Sequence, residues 1–279
     1  MEIIVALIGG GATIAAAVVS WILTRKSEQG KREELQRNHQ IASKALINAQ
    51  KHKYGFMAKG LRVKVQLLDL EPNCVITRDW IQLSVSPQTS IAAIPGFFNI
   101  SPGEFTTEPR LISKNDFPKA LALRTVQIGP GRCDYAVDIA GMLTPNDKPL
   151  DCSIQISHRG GHLMTREEVE QAYPSGTFRN EYHRCFVEIP LDELEMEIEF
   201  PEGYGAECFP GVFVGRSETM DDSELHRIKE CFQRTGRGAM IRVDGPLLGY
   251  SYAIYWISPT KATVAAMKSK EAANAETSR

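Results

Sequence analysis

The order of apolar and polar residues changes twice along the chain, and each change predicts a different kind of element. From Ile3 to Leu23 no side chain is ionisable. A helix of this length rises about 30 Å, which matches the hydrocarbon core of a bilayer. Lipid offers the backbone no hydrogen-bond partner, so a spanning segment of this kind must be helical. Residues 1–25 are therefore predicted to form a transmembrane anchor.

The charges on either side of this segment predict its orientation. Met1 and Glu2 precede it, and a basic cluster follows it: Arg25, Lys26, Lys31, Arg32, Arg37 and Lys44. The positive-inside rule then predicts a single-pass protein of the bacterial inner membrane, with its N-terminus outside and its C-terminal domain in the cytoplasm. A cleaved signal peptide is the alternative, but such a peptide begins with a basic region that is missing here.

Small residues recur on one side of the predicted anchor. They are Gly11, Ala12, Ala15, Ala16 and Ser20. Small side chains let membrane helices approach closely, so this stripe favours a homo-oligomer held through the transmembrane helix. The alternative is that glycine and alanine are simply common in membrane helices. The bilayer itself is a predicted partner in either case.

Residues 26–53 contain no proline and carry a weak apolar stripe, which predicts a helical stalk. Two arrangements are open, a short parallel coiled coil or an amphipathic helix folded back on the domain that follows.

From Leu61 onward the apolar period becomes two, which is typical of half-buried strands separated by turn-forming residues. We expect a mainly β fold, an antiparallel sandwich or two immunoglobulin-like β-sandwiches that divide near Gly160. The corresponding units are residues 54–160 and 161–259. The alternating runs are LRVKVQLLDL, WIQLSV, LRTVQI, YAVDIAGM, CSIQIS, CFVEIP, LEMEIEF, AMIRV and YSYAIYWI.

Two helices are predicted between the strands. Thr165 and Glu168 have the spacing of a capping box, and Asp221 or Asp222 suits the start of a second helix. Residues 260–279 contain few large apolar side chains and are predicted to be a flexible tail, part of which could be helical.

Composition narrows the function classes. The chain is 43% hydrophobic and 24% charged, which is ordinary for a folded protein. Its net charge of −2 argues against a nucleic-acid binder with a broad basic face, so no nucleic-acid partner is expected. Its six cysteines form no CxxC motif, and their even number permits disulfides. Cysteines inside apolar strand-like runs, such as Cys152 and Cys185, are better interpreted as small buried side chains, which fits a reducing compartment.

Candidate binding chemistry rests on arginines beside glycines. Arg132 follows a Gly-Pro-Gly turn, and Arg234, Arg237 and Arg242 surround a second glycine-containing segment. Guanidinium groups bind phosphate through two hydrogen bonds, so these residues are candidates for an anionic ligand such as a small nucleotide. The alternatives are an ordinary hairpin turn at Arg132 and a solvated loop at the other three.

A second candidate is the histidine pair in HRGGH, formed by His158 and His162. The glycines between them argue against the helical spacing of a zinc site, so a polar loop is expected and no metal or cofactor is predicted. The glutamates Glu195, Glu197 and Glu199 alternate with apolar residues, and this acidic row either docks a basic partner or protects an exposed sheet edge.

No serine or cysteine stands in a recognisable nucleophile motif, so the chain is predicted not to be an enzyme. A membrane-attached hydrolase is the weaker alternative. It would be favoured by a pocket that gathers His158, His162 or His183 with a carboxylate.

The span IGGGATIAAAVVSWIL followed by RKSEQGKREE resembles the anchors of single-pass membrane effector and accessory proteins of bacterial anti-phage defence systems. In such proteins the soluble part senses a nucleotide signal or a protein partner, and the membrane part then disrupts the inner membrane. The resemblance implies a non-enzymatic sensor or effector whose cytosolic β domain binds a ligand or protein and controls helix assembly. A membrane-tethered scaffold that recruits a soluble complex is the alternative.

Overall fold

The computed structural model describes residues 54–68, 76–99, 104–113, 119–129, 131–173, 180–215 and 219–277. The predicted anchor, its stripe of small residues and the stalk lie outside these ranges. Within them, no helix has both the length and the apolar character needed to span a bilayer. The described part of the chain is mainly β, with 57% strand and 16% helix, which confirms the predicted fold class at that level.

The described residues form fourteen strands, and every predicted alternating run overlaps one of them. The bounds are β1 Phe56–Leu67, β2 Ile76–Pro87, β3 Ile91–Asn99, β4 Glu104–Phe105, β5 Arg110–Ser113, β6 Leu121–Gly129, β7 Arg132–Leu143, β8 Leu150–Arg159, β9 Glu181–Phe186, β10 Leu191–Glu199, β11 Glu207–Val214, β12 Phe232–Thr235, β13 Gly238–Asp244 and β14 Tyr250–Ile257.

These strands form three sheets. The large sheet has the order β12-β13-β10-β1-β2-β8-β4, with β5 also paired to β8, and the two small sheets have the orders β3-β7-β6 and β11-β14-β9. The β1–β10 pair is parallel, which corrects the expectation of a wholly antiparallel architecture. A hairpin forces antiparallel pairing, but β1 and β10 are joined by most of the domain, so either direction is accessible to them.

One face of the large sheet is apolar across its width. Leu83 of β2 pairs with Leu61 of β1, which in turn pairs with Leu194 of β10, so the three side chains form a row on this inward face. The β3-β7-β6 sheet covers the β2–β8 side, where Ile94 and Ile154 share a buried core. The β11-β14-β9 sheet covers the β10–β13 side of the same face.

The outward face of the large sheet carries charged rows. Glu195 and Glu197 on β10 lie beside Arg62 and Lys64 on β1, and four ion pairs of 2.7–3.2 Å link the two strands. Because β10 lies between β1 and β13, the acidic row does not protect an edge, and that interpretation of the sequence is wrong. The parallel pairing instead sets a basic row against an acidic one.

The predicted boundary near Gly160 falls between β8 and the first helix. The large sheet nevertheless contains strands from both sides of this boundary, and residues 50–279 form one compact unit.

Three helices complete the described chain: α1 Arg166–Ala172, α2 Asp222–Cys231 and α3 Lys261–Thr277. The predicted capping box opens α1, because Thr165 accepts a hydrogen bond from the Glu168 backbone while the Glu168 side chain accepts one from the Thr165 backbone. Asp221 caps α2, as expected. Residues 261–277, within the segment predicted as a flexible tail, form a helix whose Val264 is buried.

Pro95 and Gly96, two residue types that typically form turns, lie inside β3. β3 is the terminal strand of its sheet, and such a strand tolerates a proline whose missing N–H would face away from its partner. Gly96 is also required for packing, since a Cβ atom there would overlap the ring of Tyr135 on β7. The turn interpretation is therefore wrong because tertiary packing outweighs the local signal.

Candidate functional site: a cleft between the two small sheets

The two small sheets cover opposite ends of the inward face of the large sheet, one over β2 and β8 and the other over β10 and β13, and leave a cleft between them. Its volume is about 910 Å³. Leu61 and Val63 of β1 and Leu83 of β2 form its floor, and Leu61 and Leu83 are only half-buried. The two leucines, in the middle of the inward face, thus remain partly open to the cleft, and Val63 is buried.

Strand ends and edges form the walls. β3 contributes residues from Pro95 to Asn99, and β9 contributes its whole length from Glu181 to Phe186 on the opposite wall. Both are terminal strands in the sheet orders of the described residues. Aromatic rings are frequent in the lining: Tyr54, Phe56, Phe97, Phe98, Tyr135, Tyr173, Tyr182 and Phe186.

Strand register gives the length of the cleft. Phe56 lines one end and His158 the other. His158 pairs with Thr77, which pairs with Leu67, so the histidine lies level with a residue eleven positions beyond Phe56 on β1. At about 3.3 Å per residue the two ends are roughly 35 Å apart. The cleft is therefore elongated along the strands.

A cluster of histidines occupies one end. Gly160, with a φ of 69°, turns the chain after β8 so that the rings of His158 and His162 lie 6.1 Å apart. His162 Nδ1 lies 3.3 Å from Glu181 Oε2, and both side chains are buried. The predicted polar loop is thus replaced by a buried pair, because β8 continues through His158 and the glycines return His162 to the core.

His183 lines the same cleft from β9. The cleft therefore gathers three histidines and the Glu181 carboxylate. A histidine beside a carboxylate is an arrangement used in general acid–base catalysis. Among the described residues, no group of three or more metal-binding side chains is arranged to hold an ion.

Charged side chains on the two walls are held by near neighbours. Arg132 lies 2.7 Å from Asp134 and stacks on the Phe97 ring at 4.7 Å, and its guanidinium lowers the pKa of the Asp134 carboxyl. On the facing wall, Arg184 lies over the Phe213 ring at 4.9 Å. Each guanidinium group thus lies against an aromatic ring.

Cys185 is the thiol on the β9 wall. Burial, the largest effect, raises the pKa of this thiol to about 12. At neutral pH it is therefore a thiol and not the thiolate that nucleophilic catalysis requires.

The four arginines proposed for anion binding do not come together. Arg132 lines the cleft, whereas Arg242 pairs with Glu193 at 2.7 Å on the outward face. Arg237 pairs with Glu199 at 3.2 Å, and Arg234 with Glu207 at 3.4 Å. Arg132 lies on the β3-β7-β6 sheet, whereas the other three lie on or between β12 and β13 of the large sheet, and local motifs do not reveal this separation.

Sequence reasoning missed the β9 wall, including Tyr182, Arg184 and Glu188. One signal was present: His183 and Arg184 are polar residues next to an apolar run, which is unusual for a strand packed on both faces.

No protein-family model matches this sequence, and no curated protein sequence matches it either. Among solved structures, the chain is similar to an M1 zinc metallopeptidase from Deinococcus radiodurans, with 10% identity, a TM-score of 0.33 and coverage of 72% of this chain and 42% of that one. It is also similar to leukotriene A4 hydrolase from Saccharomyces cerevisiae, with 8% identity, a TM-score of 0.35 and coverage of 72% and 29%. The chain thus spans less than half the length of either enzyme, and none of their properties is transferred to it.

Proposed function

We propose that this chain is a non-enzymatic, membrane-anchored sensor or effector whose β domain takes a ligand in the cleft. Ligand binding would change the association of the N-terminal helices through Gly11, Ala12, Ala15, Ala16 and Ser20. The proposed location is the bacterial inner membrane, with the β domain in the cytoplasm. Anti-phage defence is the proposed setting, and a protein segment or a small nucleotide is the proposed ligand.

The cleft is the observation that carries this proposal. A volume of about 910 Å³ lies in the range of ligand sites, which are mostly apolar and contain a few fixed polar groups. Aromatic rings and a half-buried apolar floor supply the first property, and Arg132, Arg184 and Glu181 supply the second. A purely structural sheet would bury Leu61 and Leu83 completely.

The finer architecture also belongs to the proposal. We propose two sandwich-like halves that share one large sheet, in place of two separate immunoglobulin-like sandwiches. The cleft then lies where the halves meet, a common position for binding sites.

The test fills the cleft floor. Cells expressing full-length Leu83→Trp or wild-type protein are infected with a panel of lytic phages while a potential-sensitive dye reports the membrane. We expect infection to depolarise cells with the wild-type protein and to leave Leu83→Trp cells polarised. Ser84→Trp is the matched control, since this neighbour on β2 points to the outward face and should behave as wild type. Wild-type cells that keep their potential under every phage would remove the effector role.

The scaffold alternative predicts a different outcome. Replacing residues 1–25 with an unrelated membrane anchor should preserve recruitment of a soluble partner, because a scaffold needs only tethering. An effector should lose activity in the same exchange, since it depends on the small-residue stripe.

A second candidate function, a membrane-attached hydrolase, is favoured by the His162–Glu181 pair beside His158 and His183 in the cleft. Fluorogenic ester and peptide probes incubated with the detergent-solubilised full chain test it. Turnover that disappears in His162→Gln and in Glu181→Gln would favour this function over the sensor. Absence of turnover with every probe would count against it.

A further inference from the structure

We infer that the occupant of the cleft is an extended polypeptide segment of low net charge that adds as a strand beside β3. This inference rests on the proposed function and names the ligand class for the same site.

The shape of the cleft favours an extended chain. It is roughly 35 Å long by strand register, which matches about ten residues in the β conformation. A mononucleotide or a similarly compact molecule would occupy only part of this length. The walls are built by strands β3 and β9, so an inserted strand would lie beside a strand edge.

β3 turns backbone groups toward the cleft. Gly129 and Arg132 close the two-residue hairpin between β6 and β7, so the backbone of Arg132 faces β6. Alternation along β7 then directs Cys133 and Tyr135 toward β3, where they pair with Phe98 and Gly96.

The residues that alternate with Gly96 and Phe98 on β3 therefore direct their backbone N–H and C=O groups away from β7. Pro95, Phe97 and Asn99 occupy these positions, and all three line the cleft. Phe97 and Asn99 offer N–H donors there, and Pro95 offers only its carbonyl. Strand addition uses such an edge for affinity and uses alternate side chains for specificity.

The apolar floor of the cleft determines which side chains the inserted strand should carry. Side chains of an inserted strand would point alternately down to Leu61, Val63 and Leu83 and up toward solvent. Alternate apolar residues would complete the core that the two small sheets leave open. The expected ligand therefore has apolar side chains at every second position.

Charge complementarity limits the class further. The lining carries two arginines, Arg132 and Arg184, and three carboxylates, Asp134, Glu181 and Glu188. This near balance does not match a polyanion, for which an excess of basic groups would be needed. A polypeptide segment with few or balanced charges fits it.

The probe is a library of ten-residue fluorescent peptides in which apolar residues alternate with polar ones, presented to the full-length protein in detergent micelles. Peptides of the same composition in scrambled order are the control. We expect fluorescence polarisation to show binding at least ten times tighter for alternating than for scrambled peptides. Hydrogen exchange should slow at the Phe97 and Asn99 amides when an alternating peptide binds.

Backbone methylation isolates the strand pairing. Two versions of a bound peptide are made, one methylated on the amide nitrogens of the odd-numbered residues and one on those of the even-numbered residues; these are the two methylation phases. We expect at least one phase to weaken binding about tenfold, because several backbone hydrogen bonds are lost. In the protein, Asn99→Pro removes one N–H from the cleft and should weaken binding about three- to tenfold more than Asn99→Ala, which shortens the same side chain but keeps that N–H.

Two outcomes overturn the inference. In the first, no alternating peptide binds the wild-type protein more tightly than it binds the Leu83→Trp variant. The second is binding that neither methylation phase weakens and that leaves the β3 amides unprotected. If nucleoside phosphates tested in the same assay bind the wild type and not Leu83→Trp, the ligand-binding function stands while the peptide class fails. If peptides bind but infected cells stay polarised, the peptide class stands and the effector role fails.

Discussion

Single positions where no side chain fits fix the register of the large sheet. Gly238 begins β13 and pairs with Glu199 of β10, and a Cβ atom there would overlap the carbonyl oxygen of Ile198. Gly236, two residues earlier in the same hairpin, has open space around its Cα. The two glycines therefore have different roles, although the sequence presents them alike.

Gly238→Ala should destabilise the protein by roughly 2 kcal/mol or more, because the clash is with backbone and strands β10 and β13 must separate to relieve it. Gly236→Ala should change the free energy of unfolding by less than about 0.5 kcal/mol. Denaturant unfolding of the full chain in detergent measures both. Equal effects at the two positions would contradict the packing argument.

Asp147 gives a pH dependence at the residue scale. Its carboxylate accepts hydrogen bonds from Lys119 Nζ at 2.6 Å and from the backbone and hydroxyl groups of Thr144. The Lys119 contact is the largest cause of a pKa lowered from 3.8 to about 2. A carboxyl whose pKa is lower in the folded state stabilises that state above its unfolded pKa, and this contribution is lost as pH falls through the folded value.

Asp147→Asn should therefore be less stable than wild type by a constant amount above about pH 5, and the two should converge as pH falls from about 4 to 2. Urea midpoints measured across this range test the prediction. Asn146→Ala, at the exposed neighbouring position, should show a pH-independent difference. A gap between wild type and Asp147→Asn that is as large at pH 2 as at pH 5 would be the contrary result.

At this scale the sequence was sufficient where a property is local. The spacing of Thr165 and Glu168 predicts their capping box, and Asp221 is predicted as a helix cap from its residue type and position. The ion-pair partners of the candidate arginines could not be predicted in this way. These arginines are Arg132, Arg234, Arg237 and Arg242. Arg132 pairs with the nearby Asp134, but the carboxylates that the other three arginines contact lie 27 or more residues away and depend on how the strands pair.

Among the elements, the β1–β10 pair shows how alternation and register cooperate. Arg62 and Lys64 face outward because Leu61, Val63 and Val65 face inward, and the parallel register sets them beside the β10 glutamates. Lys64 contacts both Glu197 and Glu199, and this lysine is the first cause of a lowered pKa for Glu199.

Lys64→Gln should cost about 0.5–1 kcal/mol at low salt, because two carboxylates lose their shared cation, and the cost should shrink at 1 M salt. Lys59→Gln, at an exposed position of the same strand, is the control and should be neutral. Unfolding midpoints at two salt concentrations measure the effect. A cost independent of salt would indicate packing by the lysine stem instead of charge.

The period-two runs overlap nine of the fourteen described strands, and they missed β3 for a physical reason. Pro95 and Gly96 are strong turn formers, but a terminal strand tolerates the proline and the Tyr135 ring occupies the space that Gly96 leaves. Parallel pairing was equally hidden, since β1 and β10 carry the same alternation that an antiparallel pair would carry.

In the whole molecule, one sheet joins the two halves. Ile94 belongs to the core under β3-β7-β6, and Val212 is buried in the β11-β14-β9 sheet, yet both cores rest on the same eight-stranded sheet. Unfolding either side exposes the inward face shared by both. The domain should therefore unfold as one unit.

Ile94→Ala and Val212→Ala should each lower the same single transition, by about 2–4 kcal/mol for the isoleucine and less for the valine. Tryptophan fluorescence and circular dichroism should report coincident midpoints in both variants. Val126→Ala, on a side chain that is 57% exposed, is the matched control and should be close to neutral. Two separable transitions, each sensitive to one substitution, would show independent halves.

The mainly β class could be derived from the sequence, and the cleft could not. Its floor combines β1 and β2 with walls from β3 and β9, so it exists only after three sheets assemble. Half-buried floor residues such as Leu61 look identical in the sequence to fully buried ones such as Leu194. Their difference lies in what the small sheets leave uncovered.

The parallel pairing of β1 with β10 also delays completion of the large sheet during synthesis of the chain. Lys64 and Glu197 are 133 residues apart. At about 5–20 residues per second, a ribosome needs roughly 7–27 seconds between making one and making the other. During that interval β1 can pair with β2 but has an open edge on its other side, available to chaperones or to a second nascent chain. The last strand that closes the sheet, and not the first that forms it, therefore decides when the domain becomes safe from misassembly.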